Sequence, residues 1–422
     1  MYIMDLAQKT LSKIEDELFI NKNKVRPQDF TRNRKLSFTT TMMMILSLIG
    51  RSIQAGIDEF LNLMDTEFAT YSKQAFSKGR QRILPEAFQD IHRLSVDFFY
   101  SIIPYKTYYG YRINAVDGSK TDLPFHKGLL DIYGCQPGTN QSLQCLISCL
   151  VDVLNHIVLE GFMAPCNGNE RELARKHIQW VVKNRIDSVK ELILFDRGYP
   201  SAELMNALDN AGVFYVMRCS QSFAASFLHK LNGDDCIITH KFSKSGLNLT
   251  FRVVKFPISD TENEILITNI LDEFTISQFK EIYHFRWEIE TSYHCIKNLF
   301  ELESFSGATP NAVLQDFYAT LYLYNAASVI VFENDAKTAD KHKDRGNKYS
   351  YHTNFKMAIL KVRKNLVRIL LCDSEEKAER YLNRLIAQLE RELVPIRNDR
   401  HSPHKRLHQN VKFPQNQKSN HF

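Results

Sequence analysis

No C-x-x-C pair occurs in this chain, no apolar run is long enough to span a bilayer, and tryptophan appears only at Trp180 and Trp287. The eight cysteines, Cys135, Cys145, Cys149, Cys166, Cys219, Cys236, Cys295 and Cys372, have no neighbouring histidine at zinc-site spacing, which excludes a zinc ribbon or finger. They read as reduced thiols. The strongest apolar run, from Met42 to Ile49, stops at Gly50 and Arg51 and is too short for a membrane span. The opening residues carry acids from Asp5 onward and lack an apolar core with a small-residue cleavage site, so no signal peptide is expected there. These absences together point to a cytoplasmic protein with no membrane partner. There is also no internal repeat and no long low-complexity tract.

What is present is ordinary for a soluble, folded protein. A chain of 422 residues with 44% hydrophobic side chains can bury a full core and should divide into about two to four domains. The net charge of +6 permits a polyanionic partner without requiring one, so the placement of the charges carries more information than their sum.

Residues 1–104 read as helical, with apolar residues at spacings of three and four in ILSLIGRSIQAGIDEFLNLM and PEAFQDIHRLSVDFFY. Basic residues punctuate this region at Arg26, Arg32, Arg34 and Lys35, then at Lys73, Lys78, Arg80 and Arg82. A basic helix of this kind can grip a DNA backbone or be a solvated face, and periodicity does not choose between them.

The texture changes near Tyr105. RINAVDG, SLQCLISCLVDVL and HIVLEGFMAP read as three strands, ERELARKHIQWVVKNR as an amphipathic helix, and ELILFDRGY as a buried strand ending on an acid. SAELMNALDNAG follows as a helix with Ser201 as N-cap and Gly212 at its exit, and VFYVMR as a further strand. Residues 105–218 therefore suggest an α/β layer with helices packed on a mixed sheet. Residues 219–268 add strand candidates joined by turn residues and read as a β-rich insertion. Residues 269–333 bring a long helix, SQFKEIYHFRWEIETSYHCIKNLFEL, to close the core. Helices are expected within 334–396 at NFKMAILKVRKNLVRILLC and SEEKAERYLNRLIAQLEREL. Residues 397–422 form a basic, His-rich tail with almost no acids or aliphatics, expected to be an extended arm that clamps DNA.

Three acids stand out. Asp117 ends the strand RINAVDG and Asp196 ends ELILFDRG, so each carboxylate should emerge where a strand gives way to a loop. Singly, each is an ordinary turn residue. With a helical glutamate they become a plausible magnesium set, because Mg2+ takes a few carboxylates and completes its octahedron with water and phosphate. Two such ions about 4 Å apart can activate an attacking oxygen and stabilise a leaving one.

The glutamate is Glu290. Tyr283, Arg286, Glu290 and Lys297 fall along one helix face, while Ile282, Phe285, Ile289 and Ile296 form a second stripe about 100° away that can pack on a sheet. Arg286 and Lys297 beside Glu290 suit a phosphate-binding surface, and equally a salt-bridged solvated helix.

The spacing Y-x2-R-x3-E-x6-K in YHFRWEIETSYHCIK resembles the signature of the fourth insertion-sequence family of bacterial DDE transposases. AVDGSKTDLP is similar to that family's first aspartate block and LFDRGYPSAEL to its second, and the likeness runs from about Phe30 to the C-terminus. The resemblance implies an α/β, ribonuclease H-like catalytic core with a β-strand insertion, flanked by helical N-terminal and C-terminal regions. It implies Asp117, Asp196 and Glu290 as catalytic metal ligands for two Mg2+ ions, with Mn2+ tolerated. Tyr283, Arg286, Trp287 and Lys297 are then DNA contacts. The implied activity is cleavage at the ends of an insertion sequence followed by strand transfer into target DNA. The implied partners are double-stranded DNA and a second copy of the chain, and the implied location is the cytoplasm, at the nucleoid. Several members form a hairpin on the cut end, aided by an aromatic residue in the insertion that stacks a flipped base. With no tryptophan there, Phe251 or Phe256 is the aromatic on offer. Two other readings fit the same residues: a ribonuclease H-like DNA nuclease that does not transpose, and an inactive transposase derivative that only binds DNA.

Overall fold

A computed structural model of the chain describes residues 1–31, 36–48, 53–63, 71–135, 142–258, 262–342, 349–372 and 374–396, with the backbone alone for 340–342. Arg32, Arg34, Lys35 and the basic tail lie outside the described residues. The chain forms two compact units, one made of Phe88–Asn325 and the other of Met1–Ala87 with the chain from Ala326 onward.

The Phe88–Asn325 unit is built on a mixed eight-stranded sheet. Its strands are β1 (Tyr111–Asp122), β2 (Gln144–Asp152), β3 (Ile157–Pro165), β4 (Lys190–Phe195), β5 (Phe214–Arg218), β6 (Asp235–Lys241), β7 (Asn248–Pro257) and β8 (Asn263–Thr268). They lie in the order β3-β2-β1-β4-β5-β8-β7-β6. β1, β4 and β5 run parallel, while β2 and β3 on one side and β8, β7 and β6 on the other are antiparallel. The strands expected as an insertion therefore prolong the central sheet, since β8 pairs directly with β5 through Val216↔Thr268.

The central strands are apolar on both faces because helices cover both. Leu192, Ile193, Leu194 and Phe195 of β4 are all fully buried, the pattern of a strand sandwiched between layers. On one face His177 of the helix Glu170–Lys183 lies 3.0 Å from Ser148 of β2. At Gly161 of β3 an added Cβ would come within 2.7 Å of Leu321, so the helix that starts at Pro310 approaches the sheet more closely than any side chain would allow.

A buried ion pair sets the parallel register of β1 and β4. Arg112 and Glu191 are directly paired residues, and Arg112 Nη2 donates to Glu191 Oε1 at 2.6 Å with both side chains almost inaccessible. Arg112 also stacks on Tyr100, whose hydroxyl donates to Asp152 at 2.6 Å. A slip by one residue would leave these charges buried and unpaired, at a cost of about 3–5 kcal/mol.

Two expectations need correction here. β1 does not end at Asp117: it continues to Asp122, because the antiparallel pairing with β2 runs on to Asp122↔Gln144 after the pairing with β4 has stopped at Ala115↔Leu194. The single long helix around residue 290 is three segments, Ile276–His284, Trp287–His294 and a π-helical turn at Cys295–Leu299. At the first joint the amides of Phe285, Arg286, Glu288 and Ile289 each reach back only three residues, which tightens the turn. The helix Pro310–His342 was not among the expected elements. It is buried nearly all round as far as Asn334, with polar residues such as Gln315, Asp316, Thr320 and Asn325 among the apolar ones, so no stripe of period 3.6 stands out from it.

The other unit is mainly helical, with one short antiparallel pair, Tyr351–Thr353 against Leu393–Pro395. Tyr2–Glu15, Glu17–Asn23, Phe38–Leu48, Ile53–Leu63 and Lys73–Arg80 come from the N-terminal side, and Phe355–Leu370 and Glu375–Leu389 from the C-terminal side. The helix Phe355–Leu370 packs against both Tyr2–Glu15 and Phe38–Leu48, so two regions far apart in sequence share one core. Among the described residues no helix is long and apolar enough to cross a membrane.

Candidate active site

Asp117 and Asp196 come together through register. β1 and β4 are parallel neighbours with Ala115 opposite Leu194, and each aspartate lies two residues further on. Adjacent strands are about 4.8 Å apart, so the two side chains leave the sheet at one level. Asp117 remains held on its other side by pairing with Cys149 of β2, whereas Asp196 is the first residue past β4. Both are half-buried.

The charge around Asp117 records this crowding. Burial raises its carboxyl from 3.8 to about 6; the Gly118 amide, which donates to Asp117 Oδ1 at 2.9 Å, and the Arg286 guanidinium pull it down, while the charges of Glu170 and Asp196 push it up. Without a cation in addition to Arg286, this carboxyl keeps its proton up to about pH 6.

The broken helix brings the remaining residues. Tyr283, buried, lies with its hydroxyl 3.4 Å from Asp196 Oδ1 and 3.5 Å from the Phe195 carbonyl. Arg286 is only 3% exposed, donates through Nη2 to Glu290 Oε1 at 3.0 Å, and stacks on Trp287 at 4.7 Å. Its Nε is buried with no hydrogen-bond partner, an orphaned donor beside the acids. The Glu290 side chain is 48% exposed and Trp287 is 49% exposed. Lys297, in the π-helical turn, donates to the Lys120 carbonyl of β1 and lies 4.0 Å from Glu303. Tyr283 and Arg286 are thus buried against the acids, while Glu290 and Trp287 face outward.

Phe251 and Phe256 are not free to stack a base. Phe251 is fully buried against Phe227 and Phe242, and Phe256, on the opposite face of β7, is buried as well.

Three residues at the site were not singled out in the sequence. Tyr293 donates its hydroxyl hydrogen to the Asp117 carbonyl at 2.6 Å and accepts from the Cys149 amide at 2.9 Å. Glu170, in the first turn of Glu170–Lys183, places its carboxylate over Gly118, and Tyr199 is buried with its hydroxyl toward Glu170. Tyr293 lies one helical turn beyond Glu290, a usable signal; the other two are visible only once β1 and its covering helix are placed.

A family model described as Transposase DDE domain matches residues 108–326, just over half of the chain and nearly all of the sheet unit. The chain belongs to the DDE transposases. It is similar to transposase InsG for insertion sequence element IS4 of Escherichia coli (strain K12), with 22% identity over 315 residues that span 67% of this chain and 68% of that one. Its fold also aligns with a chain of a piggyBac transposase synaptic complex with hairpin DNA, at a TM-score of 0.47 and 12% identity over 94% of this chain and 86% of the other.

DDE transposases are phosphoryl-transfer enzymes acting on nucleic acid, and they use divalent metal ions. Among the described residues no three His, Cys, Asp or Glu side chains converge closely enough to ligate one ion as they stand. The donor chemistry fits a hard divalent cation all the same. Carboxylates gather at one end of the sheet, one of them is held protonated to about pH 6 chiefly by burial, and Glu290 is engaged by Arg286.

Proposed function

We propose that this DDE transposase cuts DNA at the ends of an insertion sequence and joins the freed ends to target DNA, with Asp117, Asp196 and Glu290 as its catalytic carboxylates. The observation that carries this reading is the placement of Asp117 and Asp196 at one level of neighbouring parallel strands, with Arg286 acting on Asp117 and bonded to Glu290. A ribonuclease H-like core is the architecture this reading assigns to the parallel centre of the sheet and its first antiparallel strands, with β6–β8 as the insertion.

Asp117 and Asp196 would hold Mg2+, two ions in the full site, with Glu290 joining them once it leaves Arg286. Bound divalent ions supply activation of the attacking oxygen and stabilisation of the leaving one. The protein's own part is positioning and charge. Arg286, with an unpartnered Nε and a Trp287 ring beneath it, offers a planar donor to a phosphate oxygen. Tyr283 holds Asp196 at its back, and Lys297 adds positive charge at the rim. This is the role the Tyr-Arg-Glu-Lys spacing carries in the reading. Trp287, exposed beside Arg286, presents an aromatic face to the DNA. Basic residues of the N-terminal helices and the tail 397–422 grip the flanking duplex by counterion release. Two copies of the chain hold the two element ends in one complex, in the cytoplasm at the nucleoid.

Cleavage of a duplex carrying the element end, with Mg2+, by Asp117→Ala, Asp196→Ala and Glu290→Ala tests this. Each is expected to lose at least about a hundredfold in cutting; any that still cuts at the parental rate is not a catalytic carboxylate. Cutting without joining would favour a nuclease that does not transpose, and tight binding without cutting by the parent would favour a DNA-binding derivative.

A further inference from the structure

The acids of the site outnumber those that the proposed triad uses. Glu170 opens the helix Glu170–Lys183 and reaches across β1 at Gly118, where an added Cβ would lie 3.0 Å from its Cδ and its Oε1. A side chain there would press on the carboxylate and push it aside by a few tenths of an ångström, and the residue before it is Asp117. Among the described residues Glu170 forms no ion pair.

A glutamate in a first turn is commonly no more than a favourable partner for the helix dipole, worth about 0.3–1 kcal/mol. Tyr199 argues for more. It is 2% exposed, its hydroxyl has no hydrogen bond of normal geometry, and the carboxylates it faces are Glu170, then Asp117 and Asp196. A buried hydroxyl without a well-formed hydrogen bond costs up to about 1–3 kcal/mol, and this one lies against Glu170 and the two aspartates, like charges that repel one another. Two unfavourable features at one spot are both relieved by a divalent cation and the water it carries.

We propose that Glu170 is a fourth carboxylate of the metal site, acting on the divalent cation at Asp117 with Tyr199 as its hydrogen-bond support. This rests on the assignment of Asp117 and Asp196 as metal ligands. Gly118 is then the residue that admits the extra acid, and β1 supplies both the first ligand and the gap beside it.

Mn2+ binding to the full-length protein, followed by the loss of the free-ion paramagnetic resonance signal, provides the test, with thermal unfolding measured in parallel. Glu170→Gln is expected to weaken Mn2+ binding by about tenfold, since one carboxylate ligand is lost. It is also expected to raise the unfolding temperature in chelator, because a repelling charge next to Asp117 is gone, and to reduce the stabilisation gained on adding Mn2+. Tyr199→Phe should weaken Mn2+ binding less and leave the fold intact. If Glu170→Gln binds Mn2+ like the parent while Asp196→Ala does not, the metal site stands and this assignment of Glu170 is wrong. A lower unfolding temperature in both buffers, with unchanged Mn2+ affinity, would reduce Glu170 to a helix-dipole partner. Parental Mn2+ affinity in Asp196→Ala would instead overturn the metal-site reading on which the proposal rests.

Discussion

Tyr293 and Asp117 are joined by a 2.6 Å hydrogen bond from the tyrosine hydroxyl to the aspartate's carbonyl, and the same hydroxyl accepts from the Cys149 amide at 2.9 Å. The bond ties the helix Trp287–His294, which carries Glu290, to the residue of β1 that carries the first acid. Replacing Tyr293 with Phe keeps the packing and removes both bonds, leaving a buried amide and carbonyl unsatisfied. Urea unfolding should show a loss of about 1–3 kcal/mol, and cleavage should fall by about tenfold or more as Glu290 drifts relative to Asp117. A variant with parental stability and parental cleavage would show that the tie does not position the helix.

Asp117 should weaken the fold that it serves. Its carboxyl titrates near 3.8 when free and at about 6 in the folded protein, raised first by burial. The folded state therefore binds the proton more tightly, and stability is lost as pH rises from 3.8 to about 6. Asp117→Asn carries no charge to bury. In metal-free buffer it should equal the parent below this window and exceed it above, by at most on the order of 3 kcal/mol, while losing cleavage. Equal urea midpoints for parent and variant at pH 8 would count against the account.

Much of this arrangement was legible in the chain before folding, for identifiable reasons. Strands β1 to β5 announce themselves as short β-branched runs bounded by turn residues, and the helix Ala202–Ala211 by its caps, Ser201 bonded to the Leu204 amide and Gly212 at φ 58°. Asp196 falls at a strand end as expected because its strand has no antiparallel partner to prolong it. Asp117 does not, because the β1–β2 pairing outlasts the β1–β4 pairing, and pairing length is a property of two strands that neither sequence shows alone. The pairing of Arg286 with Glu290 four residues on was readable from spacing, but the tightened turn at Phe285 and Arg286, which leaves Tyr283 buried and Glu290 facing outward, was not, since no glycine or proline marks it. Glu170 was hidden for a different reason: it reaches the site over Gly118, a contact between segments about fifty residues apart.

Two buried histidines should set the acid limit of the sheet unit. His92 Nε2 lies 2.8 Å from the Val158 carbonyl and is held to about 4 by burial, and His177, beside Ser148, is held to about 3 for the same reason. Both are neutral in the fold, whereas the unfolded chain binds protons below 6.5, so their contribution is intact above 6.5 and is lost as pH falls toward 4 and 3. His177→Gln, which keeps a donor and an acceptor for Ser148, should flatten that decline by on the order of 3 kcal/mol. Unfolding free energies of parent and variant between pH 7 and pH 4 that fall in parallel would refute the assignment.

Arg286 is the cation through which the candidate acids are linked, and it does so by shape as well as charge. Its Nη2 bonds Glu290, its plane lies over Trp287, its charge lowers the Asp117 carboxyl, and its Nε is left for a ligand. A lysine keeps the charge but has neither the plane nor the fork, so Arg286→Lys should release Glu290 and lose the stack together. With the cation further from Asp117, that carboxyl should hold its proton above about 6 and the metal should compete less well for it at neutral pH. Cleavage by Arg286→Lys is therefore expected to fall by about a hundredfold at pH 7 and to recover partly as pH rises, with its pH profile displaced to the alkaline side of the parent's. A uniform loss at every pH would mean that Arg286 acts on the phosphate alone and not on the protonation of Asp117.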